Sequence, residues 1–255
     1  MPDSTDLLPE PTPPLLPGIR VVRPSADEAI DAVCADLFLQ ARGCAQTFGD
    51  VHLAFEPTPR VLAVVMRLMV DPLYRELPWS SAHVWITADG PHPPDDERSG
   101  FAELAGLLGE HAGIPPGQLH AIGVGEPRAD EAYEAELRRC LSHRDAGHGR
   151  LDFVVTALDE RAGVGGLVEG AAEAPAGTLA IAASSDAGPR VSLTLGTLNA
   201  ARCVAVVATG AELSDALGRV VRGEGVGASV APLAGEHRWY LDHDACAPGA
   251  GEQNA

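Results

Sequence analysis

Lysine is absent from the 255 residues, so all 18 basic side chains are arginine. That excludes a Schiff-base lysine and any lysine contact to a phosphate. Aromatic residues make up only 4% of the chain, and no two cysteines form a C-x-x-C pair. Cys34, Cys44, Cys140, Cys203 and Cys246 are odd in number and widely spaced, which fits a reduced intracellular compartment better than a disulfide framework. No run approaches the roughly 18 uninterrupted apolar residues of a membrane span. The opening MPDSTDLLPEPTPP carries acids where a secretion signal carries bases, and it has no apolar stretch. A formal net charge of -18 argues against nucleic-acid backbones and anionic membranes as partners, since both need a basic face. A cytoplasmic protein is expected.

What is present is apolar and small. Hydrophobic residues make up 45% of the chain, enough for a core that needs no metal or disulfide. Arginine in place of lysine, with abundant Ala, Gly and Pro, matches the coding bias of a GC-rich bacterium. Residues 1–18 hold six prolines and little to bury, so they read as a disordered leader. Residues 247–255 read as a flexible tail, leaving a single domain over 19–246.

Within that domain, β-rich runs alternate with helical periodicity. Ser25 and Glu28 form a capping box ahead of Ile30, Val33, Cys34, Leu37 and Ala41 on one helical face. VHLAF (51–55) reads as a buried strand, followed by Leu62, Val65, Met66 and Met69 at helical spacing. AHVWI (82–86), LHAI (119–122), LDFVVTAL (151–158), TLAIAAS, VSLTL, CVAVVAT and WYL (239–241) are further strands. Helices are expected around Phe101, Leu104 and Leu108, over 128–142, and around Leu213, Leu217 and Val220. This alternation predicts a three-layer, doubly wound α/β fold, Rossmann-like, with a mostly parallel sheet and helices on both faces. In such folds ligands bind beyond the carboxyl ends of the strands, so residues just after each strand carry the functional information.

Four stretches, in order, resemble 6-phosphogluconolactonases, relatives of glucosamine-6-phosphate deaminase. They are PLYRELPWSSAHVWITADGPHPPDD (72–96), GIPPGQLHAI (113–122) with EAYEAELR (131–138), GPRVSLTLGTLNAARCVAVVATGAELSDAL (188–217) and WYLDHDA (239–245). The resemblance implies a sugar-phosphate cleft and hydrolysis of 6-phosphogluconolactone in the pentose phosphate pathway, with no cofactor and no metal.

The departures fall where that chemistry belongs. The family's Gly-x-Gly-x-Asp-Gly-His-Thr-Ala-Ser-Leu-Phe-Pro-Gly aligns with LDFVVTALDERAGVGGLVEG (151–170), which sets its Asp on Arg161 and its general-base His on Gly163. Lactone hydrolysis needs a proton acceptor near neutrality beside the attacking water, and losing one costs about 10²–10⁴ in rate. The glycine-rich phosphate loop is shortened to FEPTP (55–59), where Glu56 brings a negative charge. The family's next site arginine falls on Gly90, and its two lysines on Ser185 and Leu213. No catalytic residue is therefore assigned.

Arg190, Asn199 and Arg202 remain of the family's polar groups. Arg190 and Arg202 either clamp a phosphate or brace the sheet's rim; Asn199 either lines the cleft or braces the LGTLNAAR turn. Arg161 beside GVGG (163–166) either forms a new anion nest or lies in a loop released from selection. His92 is a candidate replacement base, or a solvated loop residue. His237, Asp242, His243, Asp244 and Cys246 match no standard zinc spacing, so no metal is assigned. Expected functions are a non-hydrolytic homologue binding a sugar phosphate or a protein (a second copy or a pentose-phosphate enzyme), or else a hydrolase with relocated groups.

Overall fold

The computed structural model describes residues 12–109, 112–145, 148–232 and 234–247, with the Ser185 side chain left aside. The tail and most of the leader expected from sequence lie outside these residues. The leader's last residues belong to the fold: Leu16 is buried, and the Trp239 indole N–H donates to the Pro17 carbonyl at 2.9 Å.

Seven parallel strands make the central sheet in the order β1-β10-β9-β6-β2-β3-β5. They are β1 (Ile19–Arg23), β2 (Val51–Phe55), β3 (Ala82–Ile86), β5 (Leu119–His120), β6 (Phe153–Ala157), β9 (Cys203–Ala208) and β10 (Glu236–Asp242). A separate antiparallel sheet joins β4 (Ala88–Asp89), β8 (Gly188–Leu193) and β7 (Ala180–Ser185) in that order. The expected β-runs at 178–184 and 191–195 are thus a hairpin beside the main sheet. It is anchored because β4 follows directly from β3, with Ala88 opposite Ser192.

Helices cover both faces, and the strands alternate accordingly. Val154 of β6 and Val204 and Val206 of β9 pack with α4 (Ala129–Leu141), α5 (Leu195–Ala200) and α6 (Ser214–Val221). Phe153, Val155, Ala205 and Val207 face α1 (Ala26–Phe48), α2 (Pro59–Val70) and α3 (Gly100–Leu108). The Ser25 hydroxyl caps α1 by accepting the Glu28 N–H, and Gly49, at φ 86°, ends it in the left-handed conformation that glycine adopts without strain. Among the described residues, no helix is long and apolar enough to cross a membrane.

The amino ends of β2, β6 and β9 are tied by buried charge. Asp152 accepts from the His52 N–H at 2.8 Å, from both Arg144 Nη atoms at 2.8 and 2.7 Å, and from Arg202 Nε at 2.9 Å. Arg144 also pairs with Asp50. Burial alone raises the Asp50 carboxyl, but hydrogen bonds from His52 and Arg144 hold it down to about 2. Cys44, buried beside Asp152, is pushed up to about 12 by burial and by that carboxylate. All five thiols are free.

Candidate functional site

The carboxyl ends of β2, β3 and β6, beside the small sheet, are where such a fold places its ligand cleft. Its floor holds Glu56. The first residue past β2, Glu56 extends the ladder by donating its N–H to the Val155 carbonyl at 3.0 Å. Its carboxyl accepts from the Thr156 hydroxyl and from the Ala157 N–H at 2.9 Å. Burial pushes this carboxyl above the ordinary glutamate range; Thr156 and the Ala157 and Gly165 N–H groups oppose that shift, and Asp159 reinforces it. Hydroxyl and amide donors that would suit an incoming anion are thus engaged by a side chain of the protein itself.

The loop after β6 is built around Asp159. The Asp159 carboxylate accepts the Arg161 and Gly163 N–H groups at 2.8 and 2.7 Å, while its backbone N–H donates to the Gly163 carbonyl. A Cβ at Gly163 would lie 2.5 Å from Asp159 Oδ2. The glycine therefore fits a loop whose carboxylate packs over that position, and any larger residue must displace it.

Arg161 is exposed, and several amides of its loop are bound internally. Gly163 donates to Asp159, Gly165 to the Thr156 hydroxyl, Leu167 to the Val164 carbonyl, and Val168 to the Ser192 hydroxyl. Gly166, at φ 61°, allows this loop to close onto the small sheet: a Cβ there would sit 2.9 Å from the Ala88 methyl, 3.5 Å from Glu56 Oε1 and 3.9 Å from Arg190 Nη2.

Arg190 is the one retained family group beside the cleft. Its Nε is buried without a hydrogen-bond partner, as are the hydroxyls of Thr58, after β2, and Thr87, after β3. Arg202 is not there. It precedes β9, and its ion pair with Asp152 and its bond to His148 Nδ1 at 3.0 Å place it at the amino edge of the sheet. Arg202 ties Asp152 and His148 together there, apart from Arg190. Asn199 likewise braces, donating to the Ser229 carbonyl at 3.2 Å and accepting the Ala231 N–H at 2.9 Å. His92 stands 4.0 Å from Asp96 Oδ2 in the loop before α3.

The carboxyl-terminal His/Asp/Cys group does not assemble as a metal site among the described residues, since Asp242 instead accepts the Gly210 and Ala245 N–H groups. A different cluster escaped notice in the sequence. His52, His83 and His120 are each the second residue of a parallel strand, and the register sets His52 beside His83 and His120 beside Trp85 on one face. That repeat, V-H-L, A-H-V and L-H-A, was the available signal.

Parallel seven-stranded architecture, helices on both faces and a small antiparallel sheet beside the carboxyl ends of the strands define a doubly wound α/β protein. The chain belongs to the glucosamine-6-phosphate isomerase/6-phosphogluconolactonase family, whose pattern matches residues 24–238. It is 25% identical over 241 residues to the GDH/6PGL endoplasmic bifunctional protein of Oryctolagus cuniculus, covering 86% of this chain and 29% of that one. With the 6-phosphogluconolactonase of Haemophilus influenzae it shares 26% over 139 residues, 53% of this chain and 55% of that one. With that of Aggregatibacter actinomycetemcomitans it shares 24% over 233 residues, 87% of this chain and 96% of that one. Thus the chain spans under a third of the rabbit protein and about half of the Haemophilus one. The solved 6-phosphogluconolactonases of Trypanosoma cruzi (TM-score 0.77, 17% identity, 94% and 98% of the two chains) and Thermotoga maritima (0.74, 20%, 88% and 99%) share its fold.

Proposed function

We propose that this protein is a non-hydrolytic member of its family that acts by binding something other than a sugar phosphate. The observation that carries the reading is position 163, where the family's base would stand: glycine supplies no proton acceptor, and Asp159 is packed where a side chain would begin. Glu56 adds to it, because a phosphate entering this floor meets a carboxyl already holding the donors. His92, the other candidate base, faces Asp96.

A second reading has its own support. The unpartnered Arg190 Nε and the Thr58 and Thr87 hydroxyls are what a small polar ligand such as a sugar phosphate would satisfy. Two measurements separate these readings. Purified protein at neutral pH should open 6-phosphogluconolactone no faster than buffer, and 6-phosphogluconate should give no saturable heat of binding. Arg190-dependent binding without turnover favours the second reading; turnover well above buffer refutes both.

A further inference from the structure

We propose that His83, His120 and Cys140 form a binding site for a divalent transition metal of the zinc class, at the opposite end of the sheet from the cleft. One donor atom from each lies within 4.8 Å of the others. Three separate elements bring them together: β3 supplies His83, β5 supplies His120, and α4 lays Cys140 over both on the same face. Two imidazoles and a thiolate are the donor set zinc prefers, and a fourth position is left for water.

The hydrogen bonds around the rings arrange their lone pairs for this. A carboxylate accepts only, so Glu136 Oε1, 2.8 Å from His120 Nδ1, fixes the proton on that nitrogen. His120 Nε2 is then a lone pair, and it points at His83 Nδ1, 2.9 Å away. A carboxylate holding the remote nitrogen is the usual support of a metal-bound histidine. On the far side of His83, the Gln118 amide nitrogen lies 3.3 Å from Nε2, while Gln118 Oε1 is buried without a partner. Half a turn of that amide breaks no bond at Oε1 and lets it accept from a protonated Nε2. Without a metal, His83 Nδ1–H donates to His120 Nε2. On binding, the His83 proton moves to Nε2, where the turned amide accepts it, and both facing nitrogens are freed as ligands with the Cys140 sulfur close by.

Seating the ion requires the two nitrogens to part to roughly 3.4 Å, the spacing set by tetrahedral bonds of about 2.0–2.1 Å. Cys140 releases its thiol proton to solvent as it binds. Half-buried His83, beside the two-residue edge strand β5, provides the way in. Asp50, His52 and His83 also converge, but Asp50 is committed to Arg144, and His52 Nδ1 accepts the Trp85 indole N–H at 3.1 Å. Those two residues are assigned to support.

The test uses the full chain stripped with chelator and titrated with Co(II), then Zn(II). One Co(II) per chain should bind, with visible bands of tetrahedral intensity and a thiolate-to-cobalt charge-transfer band, both abolished when Zn(II) displaces it. Cys140→Ser should remove the charge-transfer band while circular dichroism stays native. Glu136→Gln removes no ligand yet should weaken binding by about 10–100-fold. If Cys140→Ser fails to fold, the wild-type spectrum and His83→Gln decide by the same bands. Absence of a charge-transfer band at saturating Co(II), or a band unchanged in Cys140→Ser or His83→Gln, overturns the site.

Discussion

Replacing Gly163 by alanine tests the geometry on which the proposed loss of hydrolysis rests. The new Cβ would sit 2.5 Å from Asp159 Oδ2, 3.1 Å from its Cγ and 3.2 Å from Oδ1, so the carboxylate must swing away. It then gives up the Arg161 and Gly163 N–H bonds. Both are exposed, and water replaces much of each, leaving a loss of about 1–2 kcal/mol for the pair. Alanine also restricts the unfolded chain, which returns about 0.4–1 kcal/mol because φ at 163 is not left-handed. The expected net is a destabilisation of about 0.5–1 kcal/mol, read as a lower urea midpoint at constant m-value. In an Asp159→Ala background the obstruction is gone, and the same substitution should be neutral or slightly stabilising. Equal effects in the two backgrounds, within about 0.3 kcal/mol, would refute the packing described here.

Glu56→Gln should stabilise at neutral pH and lose that advantage in acid. The folded carboxyl titrates above its unfolded value, so its contribution is complete below the unfolded value and declines as pH rises through the folded one; denaturation at several pH values checks the sign. Asp152→Ala should cost about 3–5 kcal/mol in urea melts, because buried Arg144 loses its main counter-charge. Arg202→Ala should lower stability through the same network without altering any ligand titration. His237 is buried, and burial depresses it to about 4 against a smaller opposing effect of the Val230 backbone. The unfolded ring takes a proton first, so stability should fall between about pH 6.5 and 4, by on the order of 3 kcal/mol for this residue. His237→Phe should flatten that slope, and an unchanged slope would show that other groups cause it.

Much of the fold was legible because buried parallel strands are apolar on both faces. VHLAF and AHVWI occupy the residues expected, and Ser25 starts α1 where its capping box stands. β1 was missed because IRVVR, an edge strand largely open to solvent, carries two arginines and no burial pattern. The β7–β8 hairpin was legible as two strands but not as a second sheet, since pairing direction is set by the turn around Gly188, whose φ is 114°.

The site was harder to read for a topological reason. Arg190 and Arg202 lie twelve positions apart, but α5 between them returns the chain to the amino edge of the sheet, so only Arg190 stays by the cleft. Glu56 was legible as a misplaced charge; its hydrogen bonds to Thr156 and Ala157, about a hundred positions away, were not. The histidine cluster depended on strand register, which no local window of sequence contains.

The most direct measurement is a pH–rate profile of 6-phosphogluconolactone opening with and without the protein. The two curves should superimpose from mildly acidic to mildly alkaline pH, because no imidazole stands at residue 163 and the Asp159 carboxylate packed there is engaged by the Arg161 and Gly163 N–H groups. A protein-dependent limb near neutrality that disappears in His92→Ala would contradict this and make the loop before α3 the seat of catalysis.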